Sequence, residues 1–393
     1  MRILYLSHAY PPTISGVSLV VQKVARALQR QGHILRVITA SENQTAYEMD
    51  DQGVQVLRLR AFRNPFWSEG PIPFVSREHL TQLIDTFRPD VIHTHENAIL
   101  SAQLLRLPRK PGVPLVSSCY FLPRYVTHYL RPGKLPEKAV RFFLWKYAIQ
   151  NLNQFDHVIF STHTQEQDYV GHGLRVPTTV ISNGVDADRY KPHNGRVAEV
   201  EARYHLPEGR RVLFVGRLAK DKKIEVLIQA MQGIAEERDL HLLLVGRGDH
   251  RPHLEKLVRE LSLQQHVHFL GFVPEEDLPD VYRASQLFAI ASICEVQSIP
   301  ALQAAATGLP LVGVNAAALP ELVQSGRNGF LVDPNNPQAI RESFCKISAD
   351  PNLAQDFGKA SLEISLAHAE TETFRLYGRF YREIVANTGR LAS

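Results

Sequence analysis

A turn and a short helix carry the first candidate site. Glu295 follows an apolar stretch, and Gln303 comes eight residues later on a predicted helix. Ser298 is a typical N-cap, Pro300 suits the first turn, and Gly308 is typical of a helix end. The helix N-terminus, with free N–H groups and the positive end of the dipole, would then face a ligand beside Glu295, a geometry that suits a phosphate. About two helical turns separate Glu295 from Gln303, which predicts that they line one face.

Two cations follow a predicted strand at Val212–Val215. Arg217 and Lys222 lie between that strand and the next predicted helix. Cations at the carboxyl end of a strand can clamp a pyrophosphate and stabilise it as a leaving group. A solvated basic loop is the alternative. The position of the pair, upstream of the Glu295 segment, favours the phosphate clamp.

Composition limits the class of protein. The 393 residues predict about two domains, and 44% hydrophobic and 21% charged residues are ordinary for a globular protein. Three scattered cysteines favour a reducing, cytoplasmic location over a disulfide framework. We expect neither a signal peptide nor a membrane span, because the first apolar run is short and ends in prolines and no apolar run reaches 18 residues. A net charge of +4 does not by itself imply nucleic acid.

Strands and helices alternate along the chain. One series runs from Arg2 to about Ile181, a turn-rich segment at Asn183–Gly195 is typical of a hinge, and a second series follows from Val212. Such alternation predicts α/β architecture with two doubly wound parallel sheets. The last helix, roughly Glu370 to Val385, is aromatic on one side.

These motifs together resemble glycosyltransferase family 4, the retaining glycosyltransferases of the GT-B fold. The segment from Glu295 to Gln303, with an Ala-rich helix ending in Gly308-Leu309-Pro310, is similar to the family's donor-binding signature, and Gly216-Arg217 with Lys222 matches its Gly-Arg…Lys pair. The resemblance implies two Rossmann-like domains facing a cleft, with a C-terminal helix that crosses back to the first. An acceptor-binding domain would span 1–184 plus about 370–393, and a nucleotide-sugar-binding domain would span 185–369.

The resemblance also implies roles for single residues. Glu295 would hold the sugar, with Arg217 and Lys222 on the departing diphosphate, as the catalytic set. Gln303 would hold the ribose, and the helix N-terminus at Ser298 would contribute its dipole. Substrate contacts of lesser weight are Gly16, where a plain helix cap is the alternative, Tyr120, and Glu321, which could equally be a carboxylate that stabilises a helix N-terminus.

Two departures from the family bear on the function. Gln303 stands where the family has Glu, and Tyr120 stands where it often has His. Gln keeps an acceptor but loses the charge, which weakens a hydrogen bond by about 1 kcal/mol, roughly fivefold in affinity. We expect transfer of a hexose from a nucleotide-diphosphate sugar to a hydroxyl of a lipid or saccharide acceptor. The alternative is a non-catalytic sugar-nucleotide-binding homologue or partner subunit.

Other motifs give weaker support for a function. A Rossmann oxidoreductase is disfavoured because Gly246-x-Gly248 is followed by Arg251 where the dinucleotide fingerprint needs Gly. The histidines at 93 and 95 share a strand face without further ligands, and Asp186-x-Asp188 lies in the hinge, where turn chemistry is the better explanation. We therefore expect neither a metal nor a cofactor.

A basic aromatic segment spans Lys134–Asn151. Nine Lys and Arg residues lie between Asn97 and Phe155 against one acid, Glu137. This pattern fits an ordinary core helix with a wet basic face, or peripheral contact with an anionic membrane at the inner surface.

Overall fold

The computed structural model of the protein describes residues 1–13, 15–62, 71–95, 99–123, 137–193 and 195–391. Part of the basic segment, residues 134–136, lies outside these ranges. The chain divides into two compact units, Met1–Asn183 with Thr371–Ser393, and Gly184–Glu370. Each unit is built on its own twisted sheet, and each is described separately below.

The N-terminal unit has an eight-stranded sheet with the order β10-β9-β8-β7-β1-β2-β4-β3. All neighbours pair in parallel except β3, which pairs antiparallel with β4 at the edge. A two-stranded ribbon, β5-β6, accompanies it. The strands are β1 Arg2–Leu6, β2 Ile34–Ala40, β3 Tyr47–Asp51, β4 Val54–Leu59, β5 Ala61–Phe62, β6 Ile72–Pro73, β7 Val91–Thr94, β8 Leu115–Cys119, β9 His157–Phe160 and β10 Thr178–Val180.

The helices of this unit bury apolar side chains. In the first, Val20, Val21, Val24 and Leu28 are buried at helical spacing. The helices of this unit are α1 Gly16–Arg30, α2 Arg77–Phe87, α3 Ile99–Leu105, α4 Glu137–Leu152, α5 His163–Gly171 and, at the end of the chain, α14 Glu370–Leu391.

The C-terminal unit has a six-stranded sheet, wholly parallel, with the order β13-β12-β11-β14-β15-β16. Its strands are mostly apolar, as expected for a sheet covered on both faces. The strands are β11 Arg210–Val215, β12 Leu240–Val245, β13 Val267–Gly271, β14 Leu287–Ile290, β15 Leu311–Val314 and β16 Gly329–Val332. The helices are α6 Val197–Arg203, α7 Ile224–Ala230, α8 Arg251–Glu260, α9 Leu278–Arg283, α10 Ile299–Ala306, α11 Leu319–Leu322, α12 Pro337–Ala349 and α13 Pro351–Leu366.

The last helix, α14, returns to the N-terminal unit, as predicted. Its aromatic side holds Tyr377 and Tyr381, both buried. The hydroxyl of Tyr381 lies 2.9 Å from that of Tyr5 on β1 and also contacts His93 on β7. Aromatic packing and hydroxyl contacts together fix the helix on the sheet. Among the described residues, no helix has both the length and the apolar content needed to cross a bilayer.

Candidate functional site

The strand order of the C-terminal sheet places a topological switch point between β11 and β14. Going outward from β11, the chain builds β12 and β13 on one side and β14, β15 and β16 on the other. Loops after two such neighbouring strands diverge, and ligands of doubly wound sheets bind at this switch point. Arg217 and Lys222 follow β11, and Glu295 follows β14. The two segments therefore meet at one edge of the sheet, as their assignment to one catalytic set requires.

The ion pair between Lys222 and Glu295 is the central contact of this site. The Nζ of Lys222 lies 2.7 Å from Oε1 of Glu295, and their side chains are only 16% and 10% exposed. Asp221 is buried and lies 3.6 Å from both Lys222 and Arg217. Burial lowers the pKa of Lys222, but the carboxylates of Glu295 and Asp221 raise it, and the net pKa lies above its usual range. Lys222 is therefore a permanent cation held by two carboxylates.

Glycines bring the neighbouring loop close to the cationic loop. The N–H of Leu218 donates to the carbonyl of Arg247 at 2.8 Å, and the N–H of His250 donates to the carbonyl of Leu218 at 3.1 Å. A Cβ at Gly248 would overlap the carbonyl of Leu218. The Gly246-x-Gly248 motif thus permits close approach of two backbones, which explains its presence without a dinucleotide.

The N-terminus of α10 has fewer free N–H groups than we predicted. Ser298 is the N-cap, as expected, and its Oγ accepts from the N–H of Ala301 at 3.3 Å. Pro300 has no N–H to offer. Of the first three helical residues, Pro300 thus lacks an N–H and Ala301 donates its N–H to the cap, which leaves the N–H of Ile299. The dipole of the helix remains available, but its hydrogen-bonding capacity for a phosphate is small.

Gln303 does not share a helical face with Glu295. Helix α10 begins at Ile299, so Glu295 lies on the preceding turn, outside the helical period. Glu295 pairs with Lys222, whereas the Oε1 of Gln303 accepts from the hydroxyl of Tyr282 at 3.0 Å. Helical spacing therefore does not by itself bring Glu295 and Gln303 onto one face, and their lining of a common face stays a prediction.

Glu321 lies in the first turn of α11. That segment is joined to the site through its backbone, since the N–H of Ala318 donates to the carbonyl of Glu295 at 3.3 Å. Burial lowers the pKa of His368, and the charge of Glu321 partly opposes that shift. The carboxylate of Glu321 is therefore near His368.

In the N-terminal unit, Gly16 is the first residue of α1 and is exposed. The preceding residue, Ser15, forms a capping box with Ser18: the Oγ of Ser15 accepts from the N–H of Ser18 at 3.1 Å, and the N–H of Ser15 donates to the Oγ of Ser18 at 2.9 Å. Ser15 thus contributes a reciprocal cap. The helix cap that we gave as the alternative role of Gly16 is therefore formed by Ser15, one residue earlier.

Tyr120 follows β8 and lies beside two buried histidines. Its hydroxyl is 3.5 Å from Nδ1 of His95, and the two rings stack with centroids 6.3 Å apart. His93 is buried between Tyr381 and Ser118, with Nε2 2.9 Å from the Ser118 hydroxyl. Burial lowers the pKa of His95 to about 3 and raises that of Tyr120. All these groups are therefore neutral near pH 7.

The candidate metal motifs have structural partners. His93 bonds within the hydroxyl network, and Oδ1 of Asp186 accepts from the N–H of Arg189 at 3.0 Å, which is turn chemistry. In the described part of the chain, no group of three or more His, Cys, Asp or Glu side chains is arranged to hold a metal ion.

Sequence analysis missed two site residues. Asp221 was visible between the two cations, but its burial was not. Tyr282 gave no signal, because its contact with Gln303 depends on how α9 packs against α10.

Two family models match the chain. The model described as "Glycosyltransferase Family 4" matches residues 14–189, and the one described as "Glycosyl transferases group 1" matches residues 199–363. Similar proteins include an uncharacterized glycosyltransferase of Methanocaldococcus jannaschii, 29% identical over 89% of this chain and 90% of the relative. A D-inositol 3-phosphate glycosyltransferase of Corynebacterium glutamicum is 27% identical over 81% of this chain and 76% of its own length.

Solved structures share the fold. Sucrose-phosphate synthase from Thermosynechococcus elongatus superposes with a TM-score of 0.81 at 22% identity, covering 98% of this chain and all of that one. HepE of Anabaena, solved in complex with UDP-glucose, gives a TM-score of 0.75 at 19% identity, with 98% of this chain and 100% of that chain covered. At these identities the likeness concerns architecture.

Proposed function

The chain is a glycosyltransferase of family 4 with the GT-B fold, and we propose that it moves a hexose from a nucleotide-diphosphate sugar to an acceptor hydroxyl with retention of configuration. The C-terminal unit would bind the donor, and the N-terminal unit would bind a lipid or saccharide acceptor. The observation that carries the proposal is the buried Lys222–Glu295 pair beside Arg217 at the switch point of the donor sheet.

That pair suits a site that must accept a dianion. Glu295 and Asp221 keep Lys222 charged although it is buried. An incoming pyrophosphate would replace Glu295 as the main partner of Lys222, and Glu295 would then be free to accept hydrogen bonds from the hydroxyls of the sugar. Exchange of one anionic partner for another avoids leaving a buried charge unpaired, which is costly.

The chemical step would break the bond between C1 of the sugar and the β-phosphate oxygen. The acceptor oxygen would form a bond to C1 on the same face, and its proton would pass to the leaving phosphate. Arg217 and Lys222 would stabilise the charge that grows on that phosphate. Electrostatic stabilisation of this kind is usually the largest single contribution to the rate.

Nucleotide titration tests the donor site. HepE binds UDP and UDP-glucose, so calorimetry begins with UDP and its sugars and continues with the GDP and ADP series. We expect Lys222→Met to abolish measurable binding and Lys220→Met, an exposed lysine of the same turn, to retain it. Equal binding by both variants would refute the proposed site, and so would the absence of binding by wild type.

Release of nucleoside diphosphate tests turnover. Acceptors to be supplied are D-inositol 3-phosphate, after the corynebacterial relative, oligosaccharides, and lipid vesicles. Release that depends on one of these acceptors supports a transferase and names its acceptor class. Binding without release for any acceptor supports the non-catalytic alternative.

Helix α4 supports a peripheral membrane contact. Phe142 and Phe143 are 62% and 65% exposed, and exposed Lys138, Arg141 and Lys146 lie on the same helix. Trp145 belongs to the interior side, since its ring packs edge-on against that of the buried Tyr169 with centroids 4.9 Å apart. Exposed aromatic rings among cations match the interface of an anionic bilayer.

Vesicle sedimentation tests this contact. We expect binding to phosphatidylglycerol vesicles and little to phosphatidylcholine. Replacement of Phe142 and Phe143 by Ser should weaken binding by about tenfold or more, because each buried ring contributes about 1.5–3 kcal/mol. Phe74→Ser is the matched control, since that ring is also 62% exposed in the same unit. A variant pair that binds as tightly as wild type would refute the contact.

A further inference from the structure

Tyr282 is a buried phenol that touches the residue proposed to read the ribose. It lies in α9 with no solvent exposure, packed against Tyr190 and Phe288. Its hydroxyl is 3.0 Å from Oε1 of Gln303 and 3.1 Å from the carbonyl oxygen of Pro300. Burial raises the pKa of Tyr282 well above its usual value, so the phenol keeps its proton.

A phenol has one proton, so the two neighbouring oxygens compete for it. The carbonyl of Pro300 lies in the first turn of α10, where the helix supplies it with the N–H of the residue four positions on. The side-chain oxygen of Gln303 has no such helical donor. The proton therefore satisfies Gln303, and the orientation of the amide follows from it.

With Oε1 turned to Tyr282, the amide nitrogen of the half-buried Gln303 is turned the other way. An amide nitrogen only donates, whereas the carboxylate that the family has at this position only accepts. The substitution of Gln for Glu thus reverses the hydrogen-bonding character of the position.

We propose that Tyr282 fixes the amide of Gln303 so that Nε2 donates a hydrogen bond to a ribose oxygen of the nucleotide. This inference rests on the proposed function and deepens it, because it states which chemistry the donor site requires at the ribose. Tyr282 acts as a positioning residue and Gln303 as a specificity-determining one. A ribose oxygen that cannot donate, such as a methyl ether, remains an acceptable ligand.

The test compares UDP with its 2′-deoxy, 3′-deoxy, 2′-O-methyl and 3′-O-methyl analogues by calorimetry, or the matching GDP or ADP set if one of those binds instead. At the position that is read, removal of the oxygen should weaken wild-type binding by about two- to tenfold, the usual worth of one hydrogen bond. The methyl ether at that position should bind more tightly than the deoxy analogue. In Gln303→Glu the order should reverse, because a carboxylate cannot bond to an ether. The steric effect of the methyl group is common to both proteins and cancels in the comparison.

Tyr282→Phe separates positioning from a general structural role. It should weaken binding of UDP and its ether while leaving the affinity of the deoxy analogue at that position unchanged, since the deoxy compound makes no use of the oriented amide. Gln264→Glu, an added charge at an exposed position of the same unit, should change none of these ratios.

The outcomes are distinct. If wild type bound the methyl ether no more tightly than the deoxy analogue, the proposed orientation of the amide as a donor would be overturned. Equal binding of UDP and both deoxy analogues would overturn ribose reading at Gln303 and leave the proposed function standing. Equal weakening of every analogue by Tyr282→Phe would assign Tyr282 a structural role only. No binding by any nucleoside diphosphate would overturn this inference together with the proposed function.

Discussion

The buried ion pair predicts an asymmetric response to removal of its two partners. Lys222→Met removes the cation that Glu295 contacts at 2.7 Å, and Glu295 is then left 10% exposed without that partner. Glu295→Gln leaves Lys222 with a second carboxylate, Asp221, at 3.6 Å. The two variants remove the same ion pair but differ in the charge that they leave behind.

The magnitudes follow from that difference. Breaking a buried pair from one side costs about 3–5 kcal/mol, most of it from the uncompensated charge. We expect Lys222→Met to lower the free energy of unfolding of the C-terminal unit by about 3 kcal/mol and Glu295→Gln by about 1 kcal/mol. The double variant should be more stable than Lys222→Met alone, because neither buried charge of the pair remains.

The assay must report on the C-terminal unit. Trp67 and Trp145 both belong to the N-terminal segment of the chain, so tryptophan fluorescence does not follow the relevant unit. Hydrogen exchange of peptides from β11 and β14 gives its opening free energy directly. Lys220→Met serves as the control. A cost for Glu295→Gln equal to that for Lys222→Met, or a cost for Lys222→Met below about 0.5 kcal/mol, would refute the reasoning.

Three further predictions concern the rest of the chain. The pKa of His95 is about 3 in the fold against 6.5 in the unfolded chain, so the contribution of His95 to stability should be full above pH 6.5 and fall below it by about 1.4 kcal/mol per pH unit. The free energy of unfolding between pH 7 and 5 should therefore fall less steeply in His95→Leu than in wild type, and equal slopes would count against burial of a neutral ring. Gly248→Ala should weaken nucleotide binding in calorimetry by about tenfold, because its Cβ would displace the cationic loop, whereas Gly171→Ala, with open space around it, should not; equal affinities would contradict the close packing. Arg58→Met should lower the free energy of unfolding by about 1–3 kcal/mol, because the buried guanidinium donates to the carbonyl of Pro11. Unfolding is monitored by Trp145 fluorescence, and an unchanged midpoint would show that this carbonyl finds another donor.

Local signals explain what was predictable about the fold. Strand–helix alternation, apolar periodicity and helix caps depend on residues a few positions apart. The N-cap at Ser298 and the buried stripe of α1 could therefore be read from the sequence, as could the two doubly wound units. The edge strand β3 was missed, because its segment, Tyr47–Asp51, is polar and lacks the apolar alternation that is typical of a strand.

The chemistry of the site depends on both the sequence and the tertiary structure. The order of residue types placed Arg217, Lys222 and Glu295 in one binding signature, since each follows a strand and motif spacing is a property of the chain. Which of them touch depends on the sheet order, which puts β14 beside β11 although 73 residues separate Lys222 from Glu295. No local pattern encodes that adjacency, because parallel strands are joined through crossovers and paired by long-range packing. The same packing turns the amide of Gln303 toward Tyr282, so the residue type set the available hydrogen bonds and the tertiary structure decided their direction.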